Sequence, residues 1–219
     1  MFQICKNKDG NYMPEYIQVE LPKQLDNYQL PDPSLATYWS NAIQHRTFWI
    51  DDEIDASILE ITRNIIAINR EDKAIDPSER KPIVLWIYSY GGDLDSTLSF
   101  LDACQLSKTP IITINAGVAM SAGLYILIAG HKRYCLPRAR ALIHSGSIGG
   151  MSGTYEQSEA VMADYKKSIA SLQEYVLERT KIDPKLYAKK KAKEWYVDSS
   201  EQVSLGIVDG ILTDFDAVM

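Results

Sequence analysis

The sequence predicts an α/β fold, and two observations carry that reading. Apolar, β-branched runs at residues 83–88 and 111–116 read as buried strands. Each leads through a glycine-bearing turn into a segment of helical character, residues 94–106 and 122–129. Strands that alternate with helices imply parallel pairing through right-handed crossovers.

In chain order, residues 1–44 are the least regular part, interrupted by Pro14, Pro22, Pro31 and Pro33. Only Ile17-Gln18-Val19-Glu20-Leu21 alternates there like a short strand. Residues 1–45 therefore read as a loosely ordered N-terminal extension, and residues 46–219 as one domain opening on Arg46-Thr47-Phe48-Trp49-Ile50. Residues 55–69 form an amphipathic helix, with Ile58, Leu59, Ile61, Ile65, Ile66 and Ile68 on one broad face. A charged loop occupies 70–81. After the two strand–helix pairs come shorter strands at 132–136 and 141–144, then a glycine-rich run at 145–153.

Thr154 with Gln157 makes a capping box that opens a helix to about residue 180. At 1.5 Å per residue that helix is roughly 40 Å long, more than a domain this size needs internally. Val161, Met162, Tyr165, Ile169, Leu172 and Val176 line one stripe of it. A projecting helix packed on another subunit is expected; the alternative is a helix lying across its own sheet. Pro184 starts a lysine-rich helix ending near Glu194. Asp198 with Glu201 caps a short helix closed by Gly206, and residues 207–212 supply a final strand.

Composition narrows the function. At 219 residues the chain can bury one good core, with little left for a second domain. A net charge of −6 and an isoelectric point near 5.1 argue against nucleic acid or an anionic membrane as the main partner. Cys5, Cys104 and Cys135 are odd in number and scattered, which fits reduced thiols in a cytoplasmic protein. Three histidines without ligand spacing predict no metal, and no cofactor motif is present. The polar opening residues 1–11 lack the apolar core of a secretory signal. Residues 109–130 carry no charge and approach the ~20 residues that span a bilayer. However, Pro110, Thr113, Asn115, Gly117, Ser121 and Gly123 punctuate that stretch, and its first half is β-branched. It reads as a buried strand followed by a buried helix.

The chemistry concentrates in three places. Ser89-Tyr90-Gly91-Gly92 and Gly117-Val118-Ala119-Met120-Ser121-Ala122-Gly123 each sit where a strand meets a helix. A serine on such a turn exposes its hydroxyl beside free N–H groups and the positive end of a helix dipole. The Gly91-Gly92 turn can bring a second main-chain donor close, because glycine allows near approach. Ala141-Leu142-Ile143-His144 ends another apolar strand in a histidine. A nucleophile, a base and two oxyanion donors make a serine hydrolase. Ser121 alone would read as a helix cap, and His144 alone as a core histidine; together at this spacing they read as a site.

These residues resemble the proteolytic subunit of the Clp protease, within the crotonase-like superfamily. The resemblance runs from about Arg46 to Leu212. It rests on Ile87-Tyr88-Ser89-Tyr90-Gly91-Gly92, the Gly117–Gly123 turn, Tyr134-Cys135-Leu136-Pro137, Leu142-Ile143-His144 and Glu201-Gln202-Val203-Ser204-Leu205-Gly206-Ile207-Val208-Asp209. It implies a repeated ββα spiral with a protruding handle helix at about 149–180. It also implies Ser121 as nucleophile, His144 as general base, and the N–H groups of Gly92 and Ala122 as oxyanion hole. Counting back from Gly206 places Glu194 where the family has an acidic third member. A surface glutamate paired with Lys190, Lys191 or Lys193 is the competing reading of Glu194, and Asp198 is the fallback.

The resemblance further implies two stacked heptameric rings, of this chain or of this chain with a paralogue. Gly149, Gly150 and Met151 would bind substrate backbone. Unfolded polypeptide would come from an AAA+ unfoldase docked at apolar positions matching Val84, Trp86, Leu106 and Ile114, with the N-terminal segment shaping the pore. The chain has no nucleotide-binding loop, so ATP would act through that partner. Two departures stand out: Ser145-Gly146-Ser147 follows His144 in place of Gln-Pro, and Tyr90 replaces a proline. A non-catalytic ring subunit of the same fold and another crotonase-fold enzyme therefore remain open.

Overall fold

The computed structural model describes residues 33–147 and 153–218. The chain divides into two compact units, residues 1–38 and 39–219. In the first, the described part is the opening of helix α1 (Pro33–His45), and the strand expected at 17–21 lies outside the described residues. Pro33, expected to interrupt the chain, instead begins a helix, because its fixed φ suits a first helical position. The second unit starts at Trp39, whose ring lies 6.5 Å from that of Phe48.

The second unit is built on a sheet of seven strands among the described residues. They are β1 (Thr47–Ile50), β2 (Ile83–Ser89), β3 (Ile111–Met120), β4 (Lys132–Cys135), β5 (Arg140–Ile143), β6 (Trp195–Val197) and β7 (Gly210–Ile211). The main path is β1-β2-β3-β4-β7, parallel at every step. The long β3 is the pivot. Ile112–Asn115 pairs with β4, and farther along Val118–Met120 pairs with β5. Strand β3 was expected to stop at residue 116. It runs to Met120 because β5 takes over as its neighbour, and so it delivers the chain directly to Ser121.

Helices α2 (Ile58–Glu71), α3 (Leu94–Leu106) and α4 (Ala122–Ala129) pack in succession, α2 on α3 and α3 on α4. All eight residues of α4 are buried. Its Leu124, Ile126, Leu127 and Ile128 each contribute about 2 kcal/mol of burial, which fixes the helix that starts at Ser121. On β2, Ile83, Leu85 and Ile87 face these helices, while Val84 and Trp86 join Ile114, Leu212 and Val218 in a second apolar cluster. A strand buried on both faces explains the unbroken apolar run. Residues 109–130 resolve into β3 and α4, and no helix among the described residues is long and apolar enough to cross a membrane.

Helix α5 (Tyr155–Arg179) carries the expected capping box of Thr154 and Gln157. Its buried residues, Leu172, Tyr175 and Val176, lie in its C-terminal half, whereas Tyr155 and Val161 are exposed. Helix α6 (Pro184–Lys190) ends before residue 194, and the chain returns as β6, antiparallel to β5. That strand was not expected from the sequence. Asp198 and Glu201 form the expected capping box of α7 (Ser199–Ser204). The last strand is shorter than expected, only Gly210–Ile211.

Candidate active site

Ser121 occupies the junction between β3 and α4 with φ 54° and ψ −120°. A non-glycine residue there bears strain of roughly 1–3 kcal/mol, which persists only where the surroundings enforce it. Two contacts do so. The Ser121 N–H donates to the Leu142 carbonyl on β5 at 3.1 Å. Gly91 packs so closely behind that a Cβ there would stand 2.8 Å from Ser121 Cβ. The Ser121 carbonyl accepts from Leu124 and Tyr125 N–H at 3.0 and 3.4 Å. As the first residue of α4, Ala122 has an N–H without an intrahelical acceptor.

The Gly91-Gly92 turn is set by Ser89, whose buried Oγ accepts from Gly91 N–H at 3.2 Å and donates to the Asp52 carbonyl at 2.7 Å. Gly91 and Gly92 have φ of 110° and 153°, values that favour glycine. Ile54 then bridges this turn: its N–H donates to Gly91 C=O at 2.9 Å, and its C=O accepts from Asp93 N–H at 2.6 Å. The bridge uses the groups on either side of Gly92 and leaves the Gly92 N–H out of it. Asp93 also caps α3 through Ser96 N–H at 2.8 Å, and hydrogen bonding to the Ser96 hydroxyl, followed by that N–H, holds its carboxyl below the usual carboxylate range.

His144 follows β5 directly. Its Nε2 lies 2.7 Å from Ser121 Oγ, and both residues are half-buried. Residues 121 and 144 meet because β5 pairs with the end of β3, Met120 opposite Leu142.

The expected third member is not engaged. Among the described residues no carboxylate lies within ion-pair distance of His144. Glu194 is exposed, and its Oε2 accepts from the Tyr196 hydroxyl at 2.9 Å, which raises the Tyr196 phenol above its ordinary value. The lysine pairing weighed for Glu194 is absent too: Lys191 Nζ donates to Gln173 at 2.6 Å, and Lys190 sits over the Trp195 ring. Asp198 is a helix cap, accepting from Glu201 N–H and Ser200 Oγ. It lies beyond Val197, at the end of β6 remote from His144. Gly149, Gly150 and Met151 lie outside the described residues.

Of the four positions matched to partner docking, Val84, Trp86 and Ile114 belong to the second apolar cluster. Leu106, at the end of α3, is 82% exposed and stands apart. The surface instead offers a groove of about 700 Å³ lined by Trp49, Trp86, Tyr88, Ala116, Leu136 and Phe215. Trp49 stacks on Trp86 at 5.3 Å, and Phe215 meets Trp86 edge-on at 5.9 Å. Only Trp86 is common to both sets. The signal for the groove lay in period-two alternation, since Trp49 and Trp86 are register partners on adjacent strands.

Cys104 and Cys135 are buried thiols, pushed up to about 12 and about 11 by burial. Neither belongs to a nucleophile's environment. Among the described residues, no three His, Cys, Asp or Glu side chains cluster as metal ligands.

Comparison with known proteins identifies the family. The ATP-dependent Clp protease proteolytic subunit of Leuconostoc citreum (strain KM20) is 29% identical over 191 residues, covering 86% of this chain and 89% of that protein. Subunit 2 of the same protease from Treponema pallidum (strain Nichols) is 25% identical over 180 residues, 81% of this chain and 87% of the relative. Subunit 1 from Rhodopirellula baltica (strain DSM 10527 / NCIMB 13988 / SH1) is 28% identical over 173 residues, 78% and 73% of the two chains. The model of the family described as Clp protease matches residues 32–215, which takes in both glycine turns, Ser121, His144 and α5. With that match over most of its length, the chain belongs to the Clp protease family.

Proposed function

We propose that the protein is a serine endopeptidase subunit of a self-compartmentalised protease that degrades unfolded polypeptide. The observation that carries this reading is the 2.7 Å contact between Ser121 Oγ and His144 Nε2, made at a strained strand–helix elbow. His144 Nε2 takes the Ser121 proton as Oγ attacks the scissile carbonyl. The oxyanion forms against the N–H groups of Gly92 and Ala122, main-chain donors fixed in advance by the Ile54 bridge and by α4. The imidazolium returns its proton to the leaving amine, and water then hydrolyses the acyl-enzyme by the same steps.

Assembly and delivery belong to the same reading. The exposed apolar residues of α5, Tyr155 and Val161, suit packing between two stacked rings. The aromatic groove around Trp86 suits an apolar segment of an ATP-driven unfoldase. The names of the relatives include the words ATP-dependent, and this chain has no phosphate-binding loop of its own.

One observation favours a second reading, a non-catalytic ring subunit: His144 has no carboxylate partner among the described residues. Hydrolysis of short fluorogenic peptides by the assembled protein separates the two. Turnover by wild type that disappears in Ser121→Ala supports the protease. An assembled wild type without turnover supports the scaffold.

A further inference from the structure

Beside Ser121 lies a small cavity of about 70 Å³, reached from the Gly92 and Ala122 turn. Thr97, Tyr125, Tyr165 and Ile169 are among the residues that line it. A carbonyl attacked by Ser121 and held by those two N–H groups would direct the side chain of its own residue into this space.

The space is too small for a ring. A cavity of about 150 Å³ accommodates benzene. A space less than half the volume of one that accommodates benzene suits a methyl, hydroxymethyl or hydroxyethyl group. Tyr125 is more than nine-tenths buried within α4, and burial pushes its phenol well above its ordinary value, so it is a neutral, fixed floor. Tyr165 is different: it is half-buried, comes from α5, and closes the other side. It is wedged against the loop leaving His144, where a Cβ on Gly146 would stand 2.5 Å from the Tyr165 hydroxyl. Its ring therefore has no free path out of the cavity toward that loop.

We propose that Tyr165 is a specificity-determining residue: it restricts the residue on the acyl side of the cleaved bond to Gly, Ala, Ser or Thr. The inference rests on the serine-protease reading above. An α5 residue thus couples the projecting helix to substrate choice, and removal of the ring merges its volume with the cavity.

The test uses the full-length assembled protein and three fluorogenic peptides that differ only in having Ala, Leu or Phe before the cleaved bond. Wild type is expected to favour Ala over Phe in kcat/KM by at least about 100-fold, since each misfitted methylene in a rigid pocket costs about 10–200-fold. Tyr165→Ala is expected to narrow the Ala-to-Phe ratio by at least about 10-fold. Tyr165→Leu, which keeps an apolar side chain against Ile169, serves where the alanine variant disturbs assembly; it should narrow the Ala-to-Leu ratio. Wild type that cleaves after Phe as readily as after Ala overturns the filter, and so do unchanged ratios in the variants. A wild type that cleaves none of the peptides and whose Ser121 no fluorophosphonate labels overturns the protease reading and this inference together. Labelling of Ser121 with an aromatic preference overturns the filter alone.

Discussion

Ile143 on β5 lies directly opposite Trp195 on β6 in an antiparallel register. His144 follows Ile143 and Glu194 precedes Trp195, so the two residues stand at the same end of the paired strands. In the structure the Glu194 carboxylate is held by the Tyr196 hydroxyl at 2.9 Å. Glu194→Gln is expected to lower kcat at least about 10-fold, toward the ~10⁴ that loss of a fully engaged triad carboxylate costs. Steady-state peptide hydrolysis reads the effect, and a variant as fast as wild type removes Glu194 from the mechanism.

Asp198 separates from Glu194 by its role. It caps α7 through Glu201 N–H at 2.9 Å, so Asp198→Ala is expected to cost about 1 kcal/mol of stability. Thermal unfolding should register that loss while kcat stays within about twofold of wild type. A catalytic loss as large as that of Glu194→Gln would exchange their roles.

The glycine turn sets the position of Ser121. Gly91 has φ 110°, and a Cβ there would meet Ser121 Cβ at 2.8 Å and the Met120 carbonyl at 3.0 Å. Gly91→Ala must shift the elbow, and a misplacement of about 1 Å is expected to cost roughly 100-fold in kcat. Near-normal kcat in a folded Gly91→Ala protein would show that the turn does not position Ser121.

Stability has an acid limb built around Asp72. This carboxylate is 1% exposed and accepts two 2.7 Å hydrogen bonds from Arg46, together with one from Thr109 Oγ1 at 2.9 Å. The Arg46 hydrogen bonds, followed by that from Thr109, hold its carboxyl below the usual range against the opposing effect of burial. Its folded value lies below its unfolded one, so the stabilisation is complete above the ordinary carboxylate range. It is lost as pH falls from about 5 through that range and on to the folded value. Asp72→Asn is expected to cost about 3 kcal/mol at neutral pH, because it leaves the Arg46 guanidinium without its anion, and to flatten the acid limb. Urea melts across pH measure both; an unchanged acid limb in the variant would assign it to other carboxylates.

Local signals were enough to read much of this architecture from the sequence. The apolar run of β2, the Thr154–Gln157 box and the Asp198–Glu201 box each declare themselves within a few residues, and the structure has all three. What escaped depends on partners distant in the chain. Strand β6 is three residues long and follows a lysine-rich helix; only its pairing with β5 makes it a strand. Helix α1 was hidden by a proline that starts it instead of breaking it. The Ser121–His144 pair could be chosen from its flanking strands, but the wall that Tyr165 contributes could not. Tyr165 sits in a helical stripe that reads equally well as packing surface.

The central claim is that Ser121 is a nucleophile activated by His144. A fluorophosphonate added to the assembled protein, with the adduct located by peptide mass spectrometry, tests it most directly. One adduct per chain is expected on Ser121, none in Ser121→Ala, and labelling slowed by at least about 10³-fold in His144→Ala. Labelling on another residue, or labelling as fast without His144 as with it, would contradict the claim.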